Sequence, residues 1–165
     1  MSLEIERRFL LKNDNWKEFI TKKIFIEQGY LSKNLDDWII RIRFTGKDYK
    51  IALKKHIESF TNFEFEYSIP RKDGETIMSN LSNTIKKERF FLEVEKKSWI
   101  IDCFKENNYP LKIAEIELSY EKEDLSLPSF ISKEITGLKY FTNFSLANKP
   151  FSHWEEDYLT TLKKH

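Results

Sequence analysis

Leu3-Glu4-Ile5-Glu6-Arg7-Arg8-Phe9-Leu10-Leu11 decides how the rest of the chain is read. Residues two apart on a strand share a face, so Glu4, Glu6 and Arg8 stand on one side and Ile5 and Phe9 on the other. The same alternation returns downstream. Trp38 to Phe44 sets Arg41 and Arg43 against Ile40, Ile42 and Phe44, and Tyr49 to Lys54 sets Lys50 and Lys54 against Ile51 and Leu53. Phe63 to Ile69 sets Glu64 and Glu66 against Phe63, Phe65 and Tyr67. Glu88 to Glu95 sets Arg89 and Glu93 against Phe90, Leu92 and Val94, while Ile113 to Tyr120 sets Glu115 and Glu117 against Ile116 and Leu118. With Phe25 to Leu31 and Ser98 to Phe104, period-two counting gives about eight strands.

Helical signals are fewer. Asp14 to Lys23 opens on a capping residue and spaces Trp16, Phe19 and Ile20 along one helical face. Gly74 to Ile85 reads as a second helix, and Pro128 marks a third start in Ser126 to Glu134. In the tail, Trp154, Tyr158 and Leu162 recur every fourth residue across Ser152 to His165.

A sheet with one dry and one wet face accounts for simple alternation. A merely wet face, however, mixes in Ser, Thr, Asn and Gln. Here three strands carry glutamate pairs and three carry Arg or Lys. Like charges two residues apart repel and need a counter-charge. Divalent cations would quiet Glu4/Glu6, Glu64/Glu66 and Glu115/Glu117, and a polyanion would quiet Arg41/Arg43 with Lys54 and Arg89. A closed barrel with the charged faces inward satisfies both demands. The fold class expected is mainly β (α+β): an eight-stranded antiparallel closed barrel with a few helices packed outside.

Composition narrows the function. Of 165 residues, 28 are Lys or Arg and 27 Asp or Glu, a net charge of +1 without the basic excess of a nucleic-acid binder. Aromatic residues make up 15% and can fill a core, which argues against disorder. The single Cys103 fits a reducing compartment, and three scattered His cannot build a usual zinc site. No apolar run reaches membrane-spanning length and the charged start does not read as a signal peptide, so a cytoplasmic protein without a membrane partner is expected.

Glu4-Ile-Glu6-Arg-Arg8 resembles the E-x-E-x-K signature of the CYTH, or triphosphate tunnel metalloenzyme, superfamily. The resemblance runs on through Gln28-Gly29-Tyr30, Arg41-Ile-Arg43, Lys54, Glu64-Phe-Glu66, Arg89, Trp99-Ile-Ile-Asp102, Glu115-Ile-Glu117 and Lys133-Glu-Ile-Thr-Gly137. It places a tunnel domain at 1–150 and leaves 151–165 as a helical tail outside the match. It implies Mg²⁺ or Mn²⁺ on Glu4, Glu6, Glu64, Glu66, Glu115 and Glu117, and triphosphate binding by Arg8, Arg41, Arg43, Lys54, Arg89 and Lys139. The catalytic set it implies is Tyr30, Arg8 and Lys54, with Tyr30 as proton acceptor; neighbouring arginines would lower its phenol pKa. Three positions depart from the pattern. Arg8 replaces the signature lysine, Phe91 stands where relatives carry a second basic residue, and Leu138-Lys139-Tyr140-Phe141 replaces an Asp-x-Arg-Tyr-like segment, with Lys139 as partial compensation.

The expected function is divalent-metal-dependent hydrolysis of tripolyphosphate or a related triphosphate inside the tunnel, by a monomer or homodimer. The alternatives are a class IV-type adenylate cyclase, for which no base pocket is visible, and a polyphosphate- or nucleotide-binding module with little turnover. Asp102 is expected to partner an arginine, Glu93 and Glu95 to pair with Arg89, and Glu134 to stand at the tunnel mouth.

Overall fold

The computed structural model describes residues 2–155. Among the described residues nine strands form one antiparallel sheet: β1 (Leu3–Leu11), β2 (Ile20–Tyr30), β3 (Ile39–Phe44), β4 (Tyr49–Glu58), β5 (Thr61–Ile69), β6 (Thr84–Val94), β7 (Lys97–Phe104), β8 (Lys112–Glu117) and β9 (Ile131–Glu134). Their order is β5-β4-β3-β2-β6-β7-β8-β1, and β1 pairs back onto β5 through Leu3↔Phe63 and Ile5↔Thr61. That pairing closes an eight-stranded barrel and removes its edges. The far half of β1 takes β9 as an extra strand at Phe9↔Glu134 and Leu11↔Ile131.

Closure sends alternate residues inward, and the apolar set packs outside. Phe9, Leu92, Val94, Trp99, Ile101, Ala114 and Ile116 bury together under Trp16 and Phe130. Ile42 and Tyr49 lie under α1 (Arg71–Ser79) with Met78. Gly74 permits this seat, because a Cβ there would fall 2.2 Å from Tyr49 Cγ. Gly74→Ala is expected to cost about 1–3 kcal/mol from overpacking, more than the roughly 1 kcal/mol that alanine gains in helix propensity. Urea unfolding would measure it.

One end of the barrel is plugged. There the inward rows turn apolar, with Ile85, Phe104 and Ile113 packing against Phe141, Leu146 and Trp154 from the chain's last described segment. This segment holds α2 (Asn143–Asn148), and Thr142 Oγ1 caps it by accepting the Ser145 N–H at 3.1 Å. Phe151 packs against the plug and Trp154 forms part of it, so the chain contributes beyond Pro150; of the tail helix expected over Ser152 to His165, the described start is a 3-10 turn, Phe151–His153, and the rest from Glu156 lies outside the described residues.

Of three helical expectations, two fail and one holds in part. Asp14 to Lys23 is a short 3-10 turn, Asn15–Phe19, after which β2 begins at Ile20 and pairs with Leu92. Gly74 to Ile85 divides between α1 and the start of β6, and Ser126 to Glu134 ends in β9. In each, sheet pairing overrides a weak 3.6-residue pattern. No helix among the described residues is long and apolar enough to cross a membrane.

Candidate active site

The inward charged row converges. Two cavities of about 410 and 370 Å³ open toward opposite ends of the barrel, and Glu6, Arg41, Lys54 and Asn143 line both. The first, beside the plug, adds Arg8, Tyr30, Leu35, Phe60 and Leu138. The second adds Glu4, Arg43, Glu64, Arg89, Glu115 and Glu117.

Strand register explains the assembly. Arg41 of β3 reaches along its row, and its Nη2 donates to Glu64 at 3.1 Å and Glu66 at 3.0 Å. Lys54 pairs with Glu4. Arg8 Nε donates to Glu115 at 3.2 Å, and its Nη1 donates to the Phe141 carbonyl at 2.7 Å, tying β1 to the plug. Arg89 holds both oxygens of Asp102 at 2.8 Å, the arginine partnership expected of that aspartate. Buried Arg8 Nη2 and Arg41 Nε have no acceptor among the described residues. Donors left unsatisfied in this way are costly and complement an anion.

Crowding shifts the titrations. Burial, then the Glu115 and Glu4 charges, push Glu6 up to about 7. Glu4 and Glu117 are also raised, each chiefly by burial. Glu4 and Glu64 share a hydrogen bond; Glu64 is held down despite its burial by this bond and the Arg41 charge. Glu66 and Glu115 are held low against burial, Glu66 by Lys50 and Arg41, Glu115 by Arg8 and Arg89. Burial, with Arg41 and Arg89 nearby, lowers Arg43 to about 9. Lys54 is raised because Glu6 and Glu4 outweigh its burial.

Glu6 gives a pH dependence. In metal-free protein the native state holds a proton that the unfolded chain releases above its ordinary 4.5. The associated stability is present below that pH and is lost as pH rises through about 7. Glu6→Gln is expected to flatten this decline, read as melting temperature in EDTA between roughly pH 5 and 8.

Glu4, Glu6 and Glu117 are the carboxyls least committed to arginine, Glu64 shares one Arg41 nitrogen with Glu66 at 3.1 Å, and oxygen donors of this kind on the cavity wall suit a hard divalent cation. Glu66 lies outside both cavity walls, paired with Arg41 and Lys50, and Glu115 is engaged by Arg8 and Arg89. Among the described residues no three carboxyl, His or Cys groups stand close enough to form a ready-made cage.

Several expectations change. Tyr30 is buried and its phenol is raised, because burial outweighs Arg41 and Arg43, so it is not a ready proton acceptor. Glu93 accepts from Ser98, and Glu95 stands in the β6–β7 turn, so neither pairs with Arg89. Glu134 faces outward and grips Arg7 through two bonds of 2.8 Å. Lys139 is a rim residue, three-quarters exposed and 3.7 Å from Asp36.

Other site residues are new. Gln28 is buried, accepts from Arg43 Nε at 3.0 Å and donates to Tyr30 Oη at 2.7 Å. Lys87 is wholly buried, with Nζ 2.6 Å from Asp102 and 3.0 Å from Asn143 Oδ1; burial draws its pKa down to about 7. Its signal in the sequence was parity with Arg89.

No protein-family model matches the chain. It is 31% identical over 159 residues to an inorganic triphosphatase of Acetivibrio thermocellus, a match spanning 94% of this chain and all of that protein. The chain belongs to the CYTH, or triphosphate tunnel metalloenzyme, superfamily. The crystal structure of the inorganic triphosphatase NE1496 superposes with a TM-score of 0.66 at 26% identity, covering 89% of this chain and 95% of the other. HpAC1 from Hippeastrum, described as an adenylyl cyclase candidate with a dominant triphosphatase activity, shares the fold at a TM-score of 0.55 and 15% identity, over 73% of this chain and 80% of its own. Against the CYTH pattern, Arg8 keeps the cation of the signature lysine and uses its wider fork to reach both Glu115 and the plug. The departing segment Leu138 to Phe141 supplies a carbonyl to that same arginine.

Proposed function

We propose that this protein is a divalent-metal-dependent triphosphatase acting on tripolyphosphate or a related triphosphate at the junction of its two cavities. The observation that carries this reading is the pair of buried, unpartnered donors, Arg8 Nη2 and Arg41 Nε, on a wall shared with Lys54. Three linked phosphates offer the run of anionic oxygens that such donors need.

Arg8, Arg41, Arg43, Lys54 and Arg89 neutralise and orient the chain. Their arrangement holds charge in place before reaction, which is most of what phosphoryl transfer asks of a protein. Tyr30 serves as a neutral donor: Arg43 fixes the Gln28 amide, that amide bonds the phenol oxygen, and the phenol proton remains to give. Glu4, Glu6, Glu64 and Glu117 are the residues that would hold Mg²⁺ or Mn²⁺, with Glu66 and Glu115 behind them. When bound, such an ion supplies Lewis-acid stabilisation of phosphoryl charge and a more acidic water. In the net reaction water adds to the terminal phosphorus, the bridging P–O bond breaks with its electron pair leaving on the shortened polyphosphate, and the proton lost by the water passes to solvent. The same reading takes the protein to be cytoplasmic, without a nucleic-acid partner.

Tripolyphosphate, ATP and thiamine triphosphate, each with Mg²⁺, Mn²⁺ or EDTA, test the reading. Orthophosphate should appear with metal and stop in EDTA. Cyclic AMP formation from ATP would favour the cyclase reading, and binding without release would favour a binding module.

A further inference from the structure

We propose that Asn143 contacts the substrate, its side-chain N–H donating to a phosphoryl oxygen where the two cavities meet, and that Lys87 acts through it as a positioning residue. The inference rests on the triphosphatase reading above.

Asn143 sits at the start of α2 and is a lining residue of both cavities. Its Oδ1 faces Lys87 Nζ at 3.0 Å. In its ammonium form, the one that the Asp102 carboxylate at 2.6 Å favours, Lys87 only donates, so the amide turns its oxygen toward Lys87 and its NH₂ away from it. No acceptor among the described residues takes that NH₂. Lys87 cannot meet a ligand itself. It is fully buried, lines neither cavity, and spends its protons on Asp102 and Asn143.

The backbone beneath Asn143 is held firmly. Arg8 binds the Phe141 carbonyl, and Phe141, Phe144 and Leu146 are buried. The side chain therefore starts from a fixed root. A neutral donor also has a physical advantage here. Arg41, Arg43, Lys54 and Arg89 already crowd the cavity, and an amide adds a hydrogen bond without another like charge.

Steady-state hydrolysis of tripolyphosphate with Mg²⁺ should be compared in wild type, Asn143→Ala, Asn143→Asp, Lys87→Met and the Lys87→Met/Asn143→Ala double variant, with ligand-free melting temperatures. Asn143→Asp keeps an acceptor for Lys87 but loses the donor. It should lower kcat/KM by roughly 10- to 100-fold, as for a lost hydrogen bond to a charged group, with its melting temperature unchanged or raised. Asn143→Ala should lower kcat/KM similarly. The double variant should be no worse than the poorer single one, because the two residues act as a unit. Wild-type kinetics in Asn143→Asp, with Asn143→Ala impaired or less stable, would reduce Asn143 to a strut for Lys87 and overturn the inference. Wild-type kinetics in both would overturn it too. A wild-type protein that neither hydrolyses nor binds tripolyphosphate would instead overturn the triphosphatase reading, and this inference with it.

Discussion

Asp102→Ala is expected to lower the stability of the protein by about 3–5 kcal/mol, the cost of breaking a buried ion pair from one side. Asp102 is fully buried and its carboxylate serves two cations, with Arg89 on both oxygens and Lys87 on one. Its removal leaves both cations without their closest counter-charge in a site that already strains Arg43. For a chain of this size the loss corresponds to a fall in melting temperature of about 6–20 °C. Asp102→Asn should lose less, since an amide oxygen still accepts from one cation. Equal stability of wild type and Asp102→Ala would show that the pair makes no net contribution.

The largest effect on ligand affinity is expected at Arg41. Arg41→Ala should weaken tripolyphosphate binding by about 1.5–3 kcal/mol, the range for hydrogen bonds to charged groups. Arg41 lines both cavities, holds Glu64 and Glu66 with one nitrogen, and keeps a buried donor uncommitted. Arg43→Lys should also lose affinity, because an ammonium cannot reproduce a planar fork. In the ligand-free protein Arg41→Ala should cost less, since removing one cation relieves the repulsion that lowers Arg43. Calorimetric titration of both variants would separate the two effects.

What was legible in the sequence follows from how narrow the strand rule is. A period of two leaves no choice for Glu4/Glu6, Arg41/Arg43 or Glu64/Glu66, and the barrel brings all but Glu66 to the cavity walls, with Glu66 held beyond them by Arg41 and Lys50. Ile20 to Lys23 was illegible because Trp16, Phe19 and Ile20 also fit a helical spacing, and only pairing with β6 decides against it. Lys87 was hidden in Lys-Lys-Glu-Arg, where the polar run masks the row Ile85, Lys87, Arg89. Tyr30 misled because proximity to arginines is visible in spacing and burial is not. Glu134 and Arg7 find each other only once β9 lies beside β1. Asn143 gives no sequence signal at all; the fold of the plug brings it to Lys87.

The central claim is that the barrel interior recognises a chain of phosphates rather than merely holding its own charges in balance. The most direct measurement is the melting temperature of the wild-type protein in EDTA with tripolyphosphate, compared with orthophosphate at equal phosphate concentration. A ligand that binds only the folded state raises it by mass action, and orthophosphate engages fewer of the donors. A clear rise with tripolyphosphate, a small one with orthophosphate, and loss of the difference in Arg41→Ala is the predicted result. Equal shifts for both anions, or an undiminished shift in Arg41→Ala, would contradict it.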